Sequence, residues 1–303
     1  MTFAQRVDAV TALGFSRRHA AFLTLVLMNG GYFVRRQYCA FAGVKKGMTD
    51  WVIVRRLLAH HLARTLTYSA QQGHVYRLCG RPLYAAADLE YPVSRGEASQ
   101  ALVARRLMLL DFVMTEPNLE WFTTPKEKSD LFAGRLGVAE TLFPRKMRKT
   151  TTQFWPEDLP VFLLGQPPQV QFVCLATDPH ASGVGAFVRQ HAALLEQLSE
   201  WTLHAVVPRG SVVDGACQKA YERALHATVL SPAPDADREW FERTRARVNA
   251  GDLSDVSIAD LRRYRELASR IGTGLRTRAA GPLVVHVLPH SYINFGVFAG
   301  IAR

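Results

Sequence analysis

Apolar residues recur every three or four positions along the first sixty residues, and then the pattern switches to alternation. In SRRHAAFLTLVLMNGG (16–31) the apolar positions 22, 23, 26 and 27 mark one helical face. Ser16 supplies an N-cap and Gly30-Gly31 a stop. YFVRRQYCAFAG (32–43) reads as a second, shorter helix closed by Gly43, and VKKG reads as a turn. MTDWVIVRRLLAHHLA (48–63) predicts a third helix. Val54, Leu57, Leu58 and His61/Leu62 share its apolar face, while Arg55, Arg56 and His60 lean away. RTLTYS (64–69) and HVYRLC (74–79) then alternate around the glycine-containing turn AQQG, which predicts a hairpin. RPLYAAADL (81–89) returns to helix, with Pro82 suited to its first turn.

Beyond residue 90, SQALVARRLMLLDFVM (99–114) is a leucine-rich helix capped by Ser99, expected to act as a connector or dimer helix. LEWFTT (119–124) reads as a short strand and PKEKSDLFAGRLG (125–137) as a helix ended by Gly137; FPRKMRKTTTQFWPEDLP (143–160) reads as an irregular basic segment. In the second half, LPVFLL (159–164) and VQFVCLAT (170–177) predict a hairpin. A helix over 183–201 follows, then the nearly continuous apolar strand TLHAVVP (202–208), which suits a sheet interior. Helices are predicted at 212–225, 237–249 and 257–271, and PLVVHVL (282–288) reads as a last, buried strand. The expected fold class is α/β: an N-terminal α+β domain (1–90), a helical connector (91–150) and a C-terminal α/β domain (151–303).

Charge sharpens this division. Residues 1–150 hold 22 Lys/Arg against 11 Asp/Glu, whereas residues 151–303 hold 15 of each. The whole basic excess therefore lies in the first half, which points to a polyanion-binding half joined to a neutral one. The four cysteines (Cys39, Cys79, Cys174, Cys217) are far apart, sit among apolar residues and form no metal-type spacing. They read as buried thiols in a reducing compartment. MTFAQRVDAV is polar and resembles no signal peptide, and the apolar run 20–28 is too short to span a bilayer. A cytoplasmic protein without a membrane partner is expected.

Three helices followed by a hairpin, all in the basic half, is the order of a winged helix-turn-helix. There the third helix enters the DNA major groove and the hairpin lies against the backbone or the minor groove. The candidate contacts to double-stranded DNA are Arg35 and Arg36; Lys45, Lys46, Thr49 and Trp51 around the start of the third helix; Arg55 and Arg56 on its outer face; and Arg64, Gln71, Gln72, His74 and Arg77 on the hairpin. Lys and Arg would neutralise phosphates, while Thr49, Arg55 or Gln72 would reach base edges. The stretch RRHAAFLTLVLMNGGYFVRRQYCAFAG…VIVRRLLAHHLARTLTYSAQQGHVYRLCGRPLYAAA resembles, over about residues 15–90, the winged-helix region of plasmid replication-relaxation proteins. The resemblance implies a following connector helix, a Trp-bearing strand, at which Trp121 stands, and a restriction-endonuclease-like domain. It implies a role in transcriptional regulation or in the maintenance or defence of mobile elements.

PEDLPVFLLGQPPQVQFVCLATDPHASGVGAFVRQHAALLEQL resembles the strand-turn-strand-helix core of metal-dependent nucleases. Their two carboxylates hold Mg²⁺ and a Lys steadies the attacking water. Glu157 and Asp158 stand near the first acid's place, but the second strand lacks acid-x-Lys and ends at Asp178. The expectation is thus a degenerate, non-catalytic domain with no cofactor and no metal, serving a homodimer or a protein partner. Two alternatives remain open: a Mg²⁺-dependent nuclease with an atypical acidic site, and an adaptor whose winged helix binds protein. Asp178, His180 and Ser182 crowd one loop, which reads as a capped helix start rather than a catalytic triad.

Overall fold

In the computed structural model, residues 1–45, 47–67, 74–91, 98–117, 119–148, 151–155, 159–210, 212–213, 215–229, 235–249, 257–271 and 281–289 are described. They form a mixed α/β protein. α1 (Phe3–Thr11) starts at a capping box between Thr2 and Gln5, an element the periodicity did not announce. α2 (Arg17–Met28) starts where expected, with the Ser16 hydroxyl accepting from the His19 N–H. The next segment departs from expectation. Residues Tyr32–Val34 form a strand, β1, and the helix α3 begins only at Arg35, running to Ala42. Gly43, at φ 64°, ends α3 in the left-handed conformation that a side chain resists. α4 (Met48–Ala59), β2 (Ala63–Thr67) and β3 (His74–Leu78) then follow.

β3 is the central strand of a three-stranded antiparallel sheet in the order β1-β3-β2. The three-residue β1 is held in place by this pairing with residues 41 to 45 positions away, which no local pattern reveals. Phe22 of α2 packs edge-on against Phe33 and Tyr38, and Phe33 meets Tyr76 of β3 at 5.3 Å. α5 (Arg81–Ala86) closes this unit, its Tyr84 hydroxyl donating to the Leu78 carbonyl.

α6 (Gln100–Val113) is capped by Ser99 as expected, but nine of its fourteen residues are buried. One side packs on β1 and the other on the strands of a second sheet. It is an internal layer of the protein, where a connector or dimer helix was expected from its leucine-rich face. β4 (Trp121–Phe122) comes next, then α7 (Pro125–Ser129), which runs on as a π-helical turn over Asp130–Arg135. The basic segment expected to be irregular instead forms a hairpin of β5 (Arg145–Arg148) and β6 (Thr151–Phe154). β7 (Val161–Leu164), β8 (Gln169–Leu175), α8 (Ser182–Leu195), β9 (Trp201–Pro208), α9 (Ala216–Val229), α10 (Asp235–Asn249), α11 (Ile258–Ile271) and β10 (Leu283–Leu288) complete the chain.

The second sheet has five strands in the order β10-β9-β8-β7-β4. β7 and β8 form the expected hairpin, β8, β9 and β10 run parallel, and β9 is interior as its apolar run predicted. β4 joins this sheet by pairing antiparallel with β7, so the segment 91–150 supplies both a strand and a helical layer to the second half. One continuous core runs from Val7 to Leu288. α10 and α11 pack on each other through a small satellite of Phe241, Leu267, Trp240 and Tyr264. β10 is an edge strand with Val284, Val285 and Val287 exposed, not the buried strand its composition suggested.

Candidate nucleic-acid interface

α4 carries the candidate surface. Ile53, Val54 and Leu57 are buried in the core, which turns Val52, Arg55 and Ala59 together to solvent at helical spacing. The helix ends in a Schellman-type closure. The Leu62 N–H bonds the Leu57 carbonyl, the His61 N–H bonds the Leu58 carbonyl, and His61 takes the left-handed conformation at φ 54°. This turn delivers the chain directly into β2, so the outer face of α4 and the β2–β3 hairpin are joined by a short, rigid connection. Arg64 on β2 and His74 on β3 are exposed, as is Lys45 in the turn before α4.

The remaining predicted contacts divide differently from expectation. Arg36 does not face solvent. Its guanidinium makes a two-pronged ion pair with Asp111 of α6, at 2.9 and 2.7 Å. Neighbouring Gln37, fully buried, donates to the Leu107 carbonyl and to Asp111 while accepting from the Val34 N–H. Because α3 starts at Arg35 rather than earlier, its first turn points Arg36 and Gln37 at α6. Arg77 is only 9% exposed; it lies between Tyr32 and Arg64 on the sheet, 5.6 Å from the Tyr32 ring. Arg56 is half-buried, donating to the Gly14 carbonyl at 2.8 Å and stacking 4.5 Å over Phe15. It ties α4 to the turn before α2 and so is not an outer-face residue. Arg35 stacks 4.1 Å over the half-buried Trp51. Thr49 belongs to the first turn of α4. Lys46, Gln71 and Gln72 lie outside the described residues.

Val52 was not foreseen as part of this face. It is 54% exposed beside Arg55, whereas its place in the apolar run VIV reads as core. Only its offset of three from Arg55 could have signalled it. An exposed apolar side chain on such a helix suits the methyl group of thymine.

The second half offers less. Asp178 sits in the turn after β8, accepting from the N–H groups of His180 and Ser182 and from the Ser182 hydroxyl. Partial burial works against its charge, but these hydrogen bonds from Ser182 and His180 prevail and hold its pKa below the usual value. The Asp178 carboxylate thus holds the first N–H of α8, that of Ser182, while His180 contributes its backbone N–H. Glu157 and Asp158 lie outside the described residues. Among the described residues no group of three or more His, Cys, Asp or Glu side chains is placed to hold a metal ion. On the sheet face toward α6, His204 bonds Gln171 at 2.8 Å and His286 at 2.7 Å, under the ring of Phe112. Burial first, then His286, lowers the His204 pKa to about 4, so this cluster is neutral at physiological pH.

No protein-family model, curated protein or solved structure matches the chain. The functional argument therefore rests on the arrangement of its own residues. No helix among the described residues is long and apolar enough to cross a membrane.

Proposed function

We propose that the chain binds double-stranded DNA through a winged helix-turn-helix built from α2, β1, α3, α4, β2 and β3. α4 is its recognition helix and β2–β3 its wing. The observation that carries this reading is the strand β1 before α3. It pairs with β3, so that the hairpin following α4 is anchored beside the helix pair α3–α4, as a wing requires. Charge supports it: residues 1–90 hold 12 Lys/Arg against 4 Asp/Glu. Arg55 on α4, Arg64 on β2 and Lys45 before α4 are exposed cations of this unit, and Val52 is exposed three residues before Arg55. Arg55 and Val52 face base edges, while Arg64, Lys45 and His74 meet phosphates. The second half serves as a non-catalytic body, and the process is transcriptional control or the upkeep or defence of mobile elements.

The test is fluorescence anisotropy of a labelled duplex against protein at several salt concentrations. The expected result is an affinity that falls steeply with salt. Replacing Arg55 and Arg64 together by Ala should weaken binding by at least about tenfold, since each removes a charge-assisted contact of about 1 kcal/mol or more. A folded double variant that binds as the parent does rules out this placement of the interface. Absence of binding at low salt would instead favour a protein ligand for the exposed α4 face.

A further inference from the structure

The five-stranded sheet treats its two edges differently. β4 is two residues long and leads into Thr123-Thr124-Pro125, so it leaves little unpaired main chain. β10 is six residues long and is bonded to β9 alone among the described strands. Within the described residues it shows none of the charges, bulges or interior prolines with which sheet edges are often blunted. Its pairing with β9 is continuous without a bulge. Residues 282–289 (PLVVHVLP) carry no Lys, Arg, Asp or Glu, and proline stands only at the flanks. On one face Val285 and Val287 are 46% and 63% exposed.

We propose that β10 pairs antiparallel with β10 of a second copy of this chain, joining the two five-stranded sheets into one across a two-fold axis. Self-pairing is chemically selective, because it places a side chain opposite its own counterpart or a near neighbour. A charge near the middle of such a strand meets a like charge directly across the ladder, and β10 has none. With the axis at Val285, that residue faces its counterpart and Leu283 faces Val287, closing an apolar row from the exposed valines. On the other face Val284 meets His286, whose pKa burial lowers, so no charge enters that row at neutral pH either. A six-residue edge covers less than the roughly 1,200–2,000 Å² of a standard stable interface. The dimer is therefore a concentration-dependent one. It stands on the sheet alone and does not depend on DNA binding.

Sedimentation velocity over a wide range of protein concentration tests it. The parent chain should move from monomer to dimer as concentration rises. Val285→Lys with Val287→Lys, at positions already exposed in the monomer, should weaken the dimer by at least about tenfold, because like charges then face each other. Val287→Lys alone should act in the same direction. Val213→Lys, at a valine equally exposed (61%) but off the sheet, should leave dimerisation unchanged. Circular dichroism and thermal melts establish that each variant is folded. A parent chain that remains monomeric at the highest concentration overturns the proposal and assigns the edge to another occupant. So does a dimer that both lysine variants leave intact while folded.

Discussion

Arginine serves three purposes in the first half of this chain. Arg36 and Arg6 are internal ties: Arg36 pairs with Asp111, while Arg6, 3% exposed, donates to the Ala87 carbonyl and pairs with Glu127 at 2.6 Å. Arg35, Arg56 and Arg77 lie against aromatic rings, and Arg55 and Arg64 stand in solvent. Sequence makes all of them look alike, since Asp111 is 75 residues from Arg36 and nothing local announces the pairing. The distinction is testable. Arg36→Ala leaves the Asp111 carboxylate, 7% exposed, without its main counter-charge. It should cost about 2–3 kcal/mol of stability, less than for a fully buried pair because Arg36 itself is partly exposed. DNA affinity of the folded fraction should hardly change. Urea denaturation checks the first outcome, and a loss below about 0.5 kcal/mol contradicts the structural role assigned to this pair.

At the scale of elements, the helices with strong periodicity and a side-chain cap were legible: α2 behind Ser16 and α6 behind Ser99. The hairpin β2–β3 was legible from its alternation. β1 was not, because three residues are too short for a period to register and its partner strand lies far along the chain. The basic hairpin β5–β6 escaped for the opposite reason: RKMRKTTT holds too few apolar residues to show alternation. The end of α4 yields a prediction of its own. His61 occupies the left-handed position of a Schellman closure, which disfavours any residue with a Cβ. His61→Gly should raise stability by about 0.5–1 kcal/mol, read as a higher urea midpoint at unchanged slope. A destabilised variant would show that the imidazole makes a compensating contact.

On the scale of the whole molecule, the two sheets are held together by α6 and by the paired ties Arg6–Glu127 and Arg36–Asp111. The expected boundary at residue 150 thus marks a change of charge and not a break in packing. The core also makes the fold sensitive to acid. Burial lowers the pKa of His191, enclosed beside Phe187 and Lys128, to about 3, and that of His204 to about 4. Both are neutral in the folded protein, whereas an unfolded histidine takes up a proton below about pH 6.5. Between those values the unfolded state binds more protons, so folding stability is fully present above about pH 6.5 and falls as pH drops toward the folded values. Glu127 adds to the trend at lower pH. Burial opposes its charge, but hydrogen bonds from Thr124 and Thr123 and the nearby Arg6 hold its pKa down, so its contribution is lost as the carboxylate protonates. Urea midpoints should be nearly constant above about pH 7 and decline steadily below about pH 6. A flat profile down to about pH 4.5 would mean that the two imidazoles reach water in the folded state.

By itself the sequence determined the α/β class, the positions of the capped helices α2 and α6, the interior strand β9 and the confinement of the basic excess to the first half. These follow from period, caps and composition, all of which act within one turn or one strand. Only the tertiary structure decided which arginines point outward, that α6 is an inner layer, that β4 completes the second sheet and that β10 is left at its edge. Each of those depends on a partner tens of residues away, and burial of a side chain is a property of the surface it meets rather than of its neighbours in the chain.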